Sequence, residues 1–254
     1  MAEPTLVHKK WLRGISIFAA LVLPVGVYAL SLPTPVFRYI IPFVLAVVLL
    51  VELVTWFCLA QTPEVRRWML VRSALFYCAW LAVFFLVPFS SLFSWYMVLS
   101  VPLLYLGHTM VTYTGETVLI SHTILVSFGI LLTAAAGEYY FKAGSLLLTT
   151  LVFAALVLLT RGTFVLVPQQ PAVRLSASLL VALFATETYA ALLLLPFHYT
   201  VIGFLAFLAF YVVWLCAYYW QFNVLTAQRA KFYLFVALVL AGLVLLVTPW
   251  QVVA

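Results

Sequence analysis

Polar and apolar positions along this chain neither alternate nor fall into amphipathic stripes. Instead, continuous apolar runs of about 20 residues follow one another, separated by short polar turns. A helix needs about 20 apolar residues to cross the hydrocarbon core of a bilayer. Only helices and closed barrels satisfy the backbone in that core, and the lack of a period-two pattern selects helices. The pattern predicts an all-α, polytopic transmembrane bundle. Nine spans are read at roughly 11–32, 36–60, 68–87, 91–107, 117–136, 143–160, 173–195, 199–220 and 231–249. The fourth is the shortest and contains Pro102, so it is expected to be kinked or broken. The chain 1–254 reads as a single transmembrane helical domain.

Composition strengthens this reading. Of the 254 residues, 68% are hydrophobic and 7% charged, with a mean hydropathy of +1.25. A soluble domain carries about 25% charged residues, so the solvent here is largely lipid. Nine spans consume about 180 residues, which leaves no room for a separate soluble domain.

The charges set an orientation. With the N-terminus in the cytoplasm and the spans alternating, one side holds Lys9, Lys10, Arg13, Arg66, Arg67, Arg72, Arg161, Arg174, Arg229 and Lys231. The other side holds only Arg38 and Lys142, which completes the 12 basic residues. The positive-inside rule predicts this asymmetry, and it places the C-terminus outside. The net charge of +6 then reports topology, and no nucleic-acid partner is expected. Trp11, Trp56, Trp68 and Trp220 fall at inner span ends, and Trp95 and Trp250 at outer ones, as in an interfacial belt. Lys9-Lys10 before an apolar run resembles a signal peptide, but the run is a full span and ends in Leu32-Pro33-Thr34-Pro35, so a retained helix is expected.

Leu32-Pro33, Val87-Pro88-Phe89 and Leu195-Pro196-Phe197 each close an outward span. The last two are followed by similar inward–turn–outward segments. A weak parallel repeat of 68–136 and 173–249 would account for this; proline capping of membrane hairpins would also account for it. Ala134-Ala135-Ala136-Gly137 and Ala143-Gly144-Ser145 are small-residue stretches that let neighbouring helices approach closely.

Candidate chemistry is sparse. The chain has no Asp, and its six acidic residues are Glu3, Glu52, Glu64, Glu116, Glu138 and Glu187. This excludes Asp-rich Mg-diphosphate sites, phospho-aspartate pumps and Asp-based proteases. None of the four Lys lies mid-membrane, so a retinal Schiff base is excluded, and no cofactor is expected. Cys58, Cys78 and Cys216 have no CxxC spacing and read as buried thiols.

Glu52 and Glu187 lie within spans, where an ionisable side chain costs about 2.5–3.5 kcal/mol on insertion scales. Either could line an ion or proton path, or bond to Thr55, Thr186 or Thr188 as a structural tie. The segment from Gly107 to Ser127 is the most polar stretch near the membrane. It holds His108, Thr109, Thr112, Tyr113, Thr114, Glu116, Ser121, His122 and Thr123. His108, Glu116 and His122 could converge on a metal, but their spacing matches no metal motif, and a polar helix–helix seam is the simpler reading.

Glu187, Leu195-Pro196, Tyr218-Tyr219-Trp220, Leu225-Thr226 before Arg229, and a last helix ending near Trp250 together carry a resemblance. In these features the C-terminal third resembles uncharacterised polytopic membrane proteins of candidate-phylum (Patescibacteria) bacteria. The resemblance implies a bacterial membrane origin and lends no catalytic residue; the inner (plasma) membrane is the expected location. Three functional classes remain. The first is a non-enzymatic scaffold or membrane subunit of an envelope assembly, with the bilayer and other membrane proteins as partners. The second is a small-solute or ion transporter or channel using Glu52, Glu187, His108, Glu116 and His122. The third is a membrane-embedded lipid-modifying enzyme built on His108, Glu116 and His122.

Overall fold

The computed structural model describes residues 6–31, 37–59, 62–86, 91–112, 115–141 and 144–248. Among them are nine α-helices and no strand: α1 (Leu6–Ser31), α2 (Phe37–Cys58), α3 (Pro63–Phe84), α4 (Ser91–Thr112), α5 (Glu116–Phe141), α6 (Ser145–Phe164), α7 (Pro171–Leu193), α8 (Tyr199–Gln221) and α9 (Ala227–Val247). Eight of them, all but α4, are long and apolar enough to cross a membrane. The turns at Leu32–Pro35 and Val87–Phe89, the residues Tyr113, Thr114, Lys142 and Ala143, and Trp250 lie outside the described residues.

The helix starts differ from the hydropathy reading for a local reason. Pro63 and Pro171 occupy first-turn positions of α3 and α7, where the missing N–H has no intrahelical partner to lose. These helices therefore begin before their apolar runs do, and Arg72 and Arg174 are buried within them. The expectation of a short or broken fourth span is corrected as well. α4 is one helix of 22 residues with Pro102 inside it, and the shortest helix is α6, with 20. The polar tail of α4 stays helical because its side chains find partners: Thr109 donates to the Tyr105 carbonyl at 2.8 Å, and His108 is buried among side chains.

The chain forms two compact units, Met1–His122 and Thr123–Ala254, with the boundary inside α5. In the first unit α1 packs on α2 and α4, and α3 packs on α2 and α4. Leu12, Leu59, Met69 and Val111 fill one end of the bundle. Tyr28 stacks on Phe93 at 5.9 Å toward the other end, and Phe93 meets Phe84 at 5.6 Å. The α3–α4 seam is pinned by Trp80 Nε1 donating to Ser100 Oγ at 2.8 Å and Tyr96 Oη donating to the Trp80 carbonyl at 2.9 Å.

In the second unit α7 packs between α6 and α8, and α9 packs on α8. Trp214 Nε1 donates to Thr163 Oγ1 at 3.1 Å, tying α8 to α6. Arg161 and Arg174 donate to the carbonyls of Pro171 and Val165 and brace the α6–α7 turn. The single Asn of the chain, Asn223, ends α8 in the left-handed region at φ 58°. That conformation favours Gly or Asn, and the Val224 N–H reaches back to the Tyr219 carbonyl at 3.1 Å.

Helices approach closely at Gly203, where a Cβ would stand 2.8 Å from Leu132 Cα. Phe128 packs edge-on against Phe204 and Phe207 beside it. Because the obstruction is backbone, Gly203→Val forces α5 and α8 apart. A loss of about 1–3 kcal/mol is expected, seen as a lowered thermal unfolding midpoint in detergent. Gly242→Val on α9, which meets open space, should leave the midpoint nearly unchanged.

Candidate functional site

The first unit gathers polar side chains from four helices into an apolar interior. Glu52 and Thr55 lie three residues apart on α2, hence on one face. Arg72, Ser73, Phe76 and Tyr77 form the buried face of α3. α4 contributes His108 and the start of α5 contributes His122, both fully buried.

His108 is the best-connected member. Its Nδ1 lies 3.0 Å from Tyr77 Oη, and its Nε2 lies 3.4 Å from Thr55 Oγ1. The Thr55 hydroxyl has one hydrogen, which it donates to the Val51 carbonyl at 2.7 Å. Its oxygen is therefore an acceptor toward His108. This network assigns the Nε2–H tautomer to a neutral imidazole, whose Nδ1 accepts from the Tyr77 hydroxyl.

Glu52 is held differently. Its carboxyl lies beside the Ser73 hydroxyl and within electrostatic reach of Tyr77. Neither carboxylate oxygen completes a hydrogen bond of normal geometry, and neither does the Ser73 hydroxyl. His122 has no hydrogen-bond partner for either ring nitrogen. Its ring faces Phe76 at 5.8 Å, and the Phe76 ring occupies the space that Gly107 leaves on α4. Arg72, 1% exposed, lies close enough to act on His122.

The five residues singled out from the sequence thus separate. Glu52, His108 and His122 meet in the first unit. Glu116 stands exposed in the first turn of α5, so His108, Glu116 and His122 do not converge as metal ligands. Among the described residues no three His, Cys, Asp or Glu side chains gather as a ligand set. Glu187 belongs to the second unit and is exposed on α7. The expected ties to threonine are also absent: Thr55 bonds to Val51 and His108, and Thr188 donates to the Phe184 carbonyl at 2.9 Å.

Sequence reading passed over Ser73 and Tyr77. The signal was available, because Arg72, Ser73, Phe76 and Tyr77 share a helical face within the span read at 68–87. In the second unit Glu138 lies near Tyr189, whose hydroxyl is buried without a hydrogen-bond partner.

Two substitutions should move stability in opposite directions. Tyr77→Phe leaves His108 Nδ1 buried without its donor and is expected to cost about 1–2 kcal/mol. His122→Leu removes two unmatched ring nitrogens and is expected to be neutral or stabilising by a similar amount. Thermal unfolding of the purified variants in one detergent checks both signs.

No family model, no curated protein and no solved structure matches the chain.

Proposed function

We propose that this multi-pass membrane protein is a proton-driven transporter of a small solute or ion, with Glu52, Ser73, Tyr77 and His108 as its proton path. The observation that carries the proposal is Glu52, a carboxyl enclosed by an apolar bundle with no direct hydrogen-bond partner. A buried carboxyl of this kind costs free energy that apolar packing would save. Such residues in membrane helices characteristically mark ion or proton routes. A scaffold has no use for it, and the lipid-modifying alternative loses Glu116 from its constellation.

The hydrogen-bond order supplies a direction. Tyr77 already donates to His108 Nδ1. Once rotation brings the Glu52 carboxyl or the Ser73 hydroxyl into hydrogen-bond contact with Tyr77, a proton on Glu52 passes to the Tyr77 oxygen, directly or across Ser73, while the proton of Tyr77 moves to Nδ1. The carboxyl becomes a carboxylate and the imidazole an imidazolium, and Tyr77 is regenerated. Histidine suits this role because both of its ring nitrogens exchange protons near neutral pH. Among the described residues no three His, Cys, Asp or Glu side chains gather there to hold a metal cation, which favours the proton as the species the site handles. In this reading the N-terminus is cytoplasmic, supported by the ten-to-two split of basic residues, and the membrane is a bacterial plasma membrane.

The test is proton flux into proteoliposomes driven by a valinomycin-clamped potassium potential and read with a trapped pH dye. Wild-type protein is expected to exceed empty vesicles, and Glu52→Gln and Tyr77→Phe to lower the flux roughly tenfold or more. Equal flux for wild-type and Glu52→Gln vesicles, with both proteins folded, would sink the proposal.

A further inference from the structure

Glu187 lies on α7 six residues before its last residue, Leu193, or about 9 Å along the axis. It therefore sits within the apolar zone of its span. Its side chain lines a groove of about 680 Å³ between α7 and α8, in company with Leu180, Phe184, Val213, Ala217 and Trp220. Every other lining residue is uncharged, and all but a serine are hydrocarbon or aromatic. Leu180, Phe184 and Trp220 are exposed, so the groove opens at the surface of the unit. No hydrogen bond or ion pair to Glu187 is formed among the described residues.

We infer that this groove binds a lipophilic cation, with Glu187 as the counter-charge. The argument is complementarity. A lone carboxylate in an apolar wall is costly, and no basic side chain lines the groove to offset it. A hydrophobic cation offsets it while burying its own apolar body along Leu180, Val213 and Ala217. Phe184, one turn before Glu187 on the same face, presents a ring to the positive centre. The volume suits a drug-sized molecule. A neutral lipid tail would fill the same space without needing the carboxylate, and a metal cation would find one ligand where it needs several.

The experiment is equilibrium binding of tetraphenylphosphonium to the purified full-length chain, with uncharged tetraphenylmethane in parallel. Saturable binding of the cation is expected, weakened roughly tenfold or more by Glu187→Gln, with tetraphenylmethane indifferent to that change. Ala217→Phe fills the groove from α8 with the carboxylate intact and should weaken the cation to a similar degree. Glu52→Gln lies in the other unit and should bind as wild type does, so failure of the proton-path proposal leaves this one standing. The inference is overturned if the cation does not bind saturably, if Glu187→Gln binds it as tightly as wild type, or if both probes respond equally to that substitution.

Discussion

Hydrocarbon neither donates nor accepts a hydrogen bond, so every polar group in a membrane span must find its partner inside the protein. The helices follow from this constraint, and so does the behaviour of their hydroxyls. Ser16, Ser31, Thr55, Thr160 and Ser178 each donate to the carbonyl four residues back. The turn arginines obey it too, with Arg161, Arg174 and Arg229 spending guanidinium hydrogens on backbone carbonyls. Against this background, buried polar side chains without a hydrogen bond stand out, Glu52, Ser73 and His122 in one unit and Thr186, Tyr189 and Gln221 in the other, and with them Glu187 in its apolar groove.

Those groups differ in access, and access determines what they can exchange. The Glu52 carboxyl is enclosed by α2 and α3 beside Ser73 and Tyr77, where a proton handed on by side-chain rotation needs no opening. Glu187 faces an open groove with apolar walls, where a bulky ligand can enter from the side. A buried imidazole with defined partners on both nitrogens, His108, gives the first site an order of bonds. The second site has no such order, only a charge and a shape. The chemistry proposed for each follows from that contrast.

Side-chain networks of this kind also explain where helices end. Hydropathy stops α4 at Gly107, before His108-Thr109, because those residues are polar. The helix continues because Thr55 and Tyr77 receive His108 and because the Phe76 ring seats over Gly107. The same holds for α3, whose polar start Pro63-Glu64-Val65-Arg66 is helical through a first-turn proline.

The sequence by itself determined the all-helical fold, the number of helices and most of their boundaries, because apolar runs of bilayer length admit no other backbone solution. It also pointed to Glu52, His108, His122 and Glu187, since polar residues are conspicuous in apolar surroundings. It could not say that Glu52, Ser73, Tyr77 and His108 share an interior, nor that Glu116 and Glu187 do not join them. Continuous apolar runs lack the periodicity that tells which face of a helix turns inward, so hydropathy is silent about partners. Only the packing of α2, α3, α4 and α5 decided that, and only the α7–α8 groove gave Glu187 an opening and a shape.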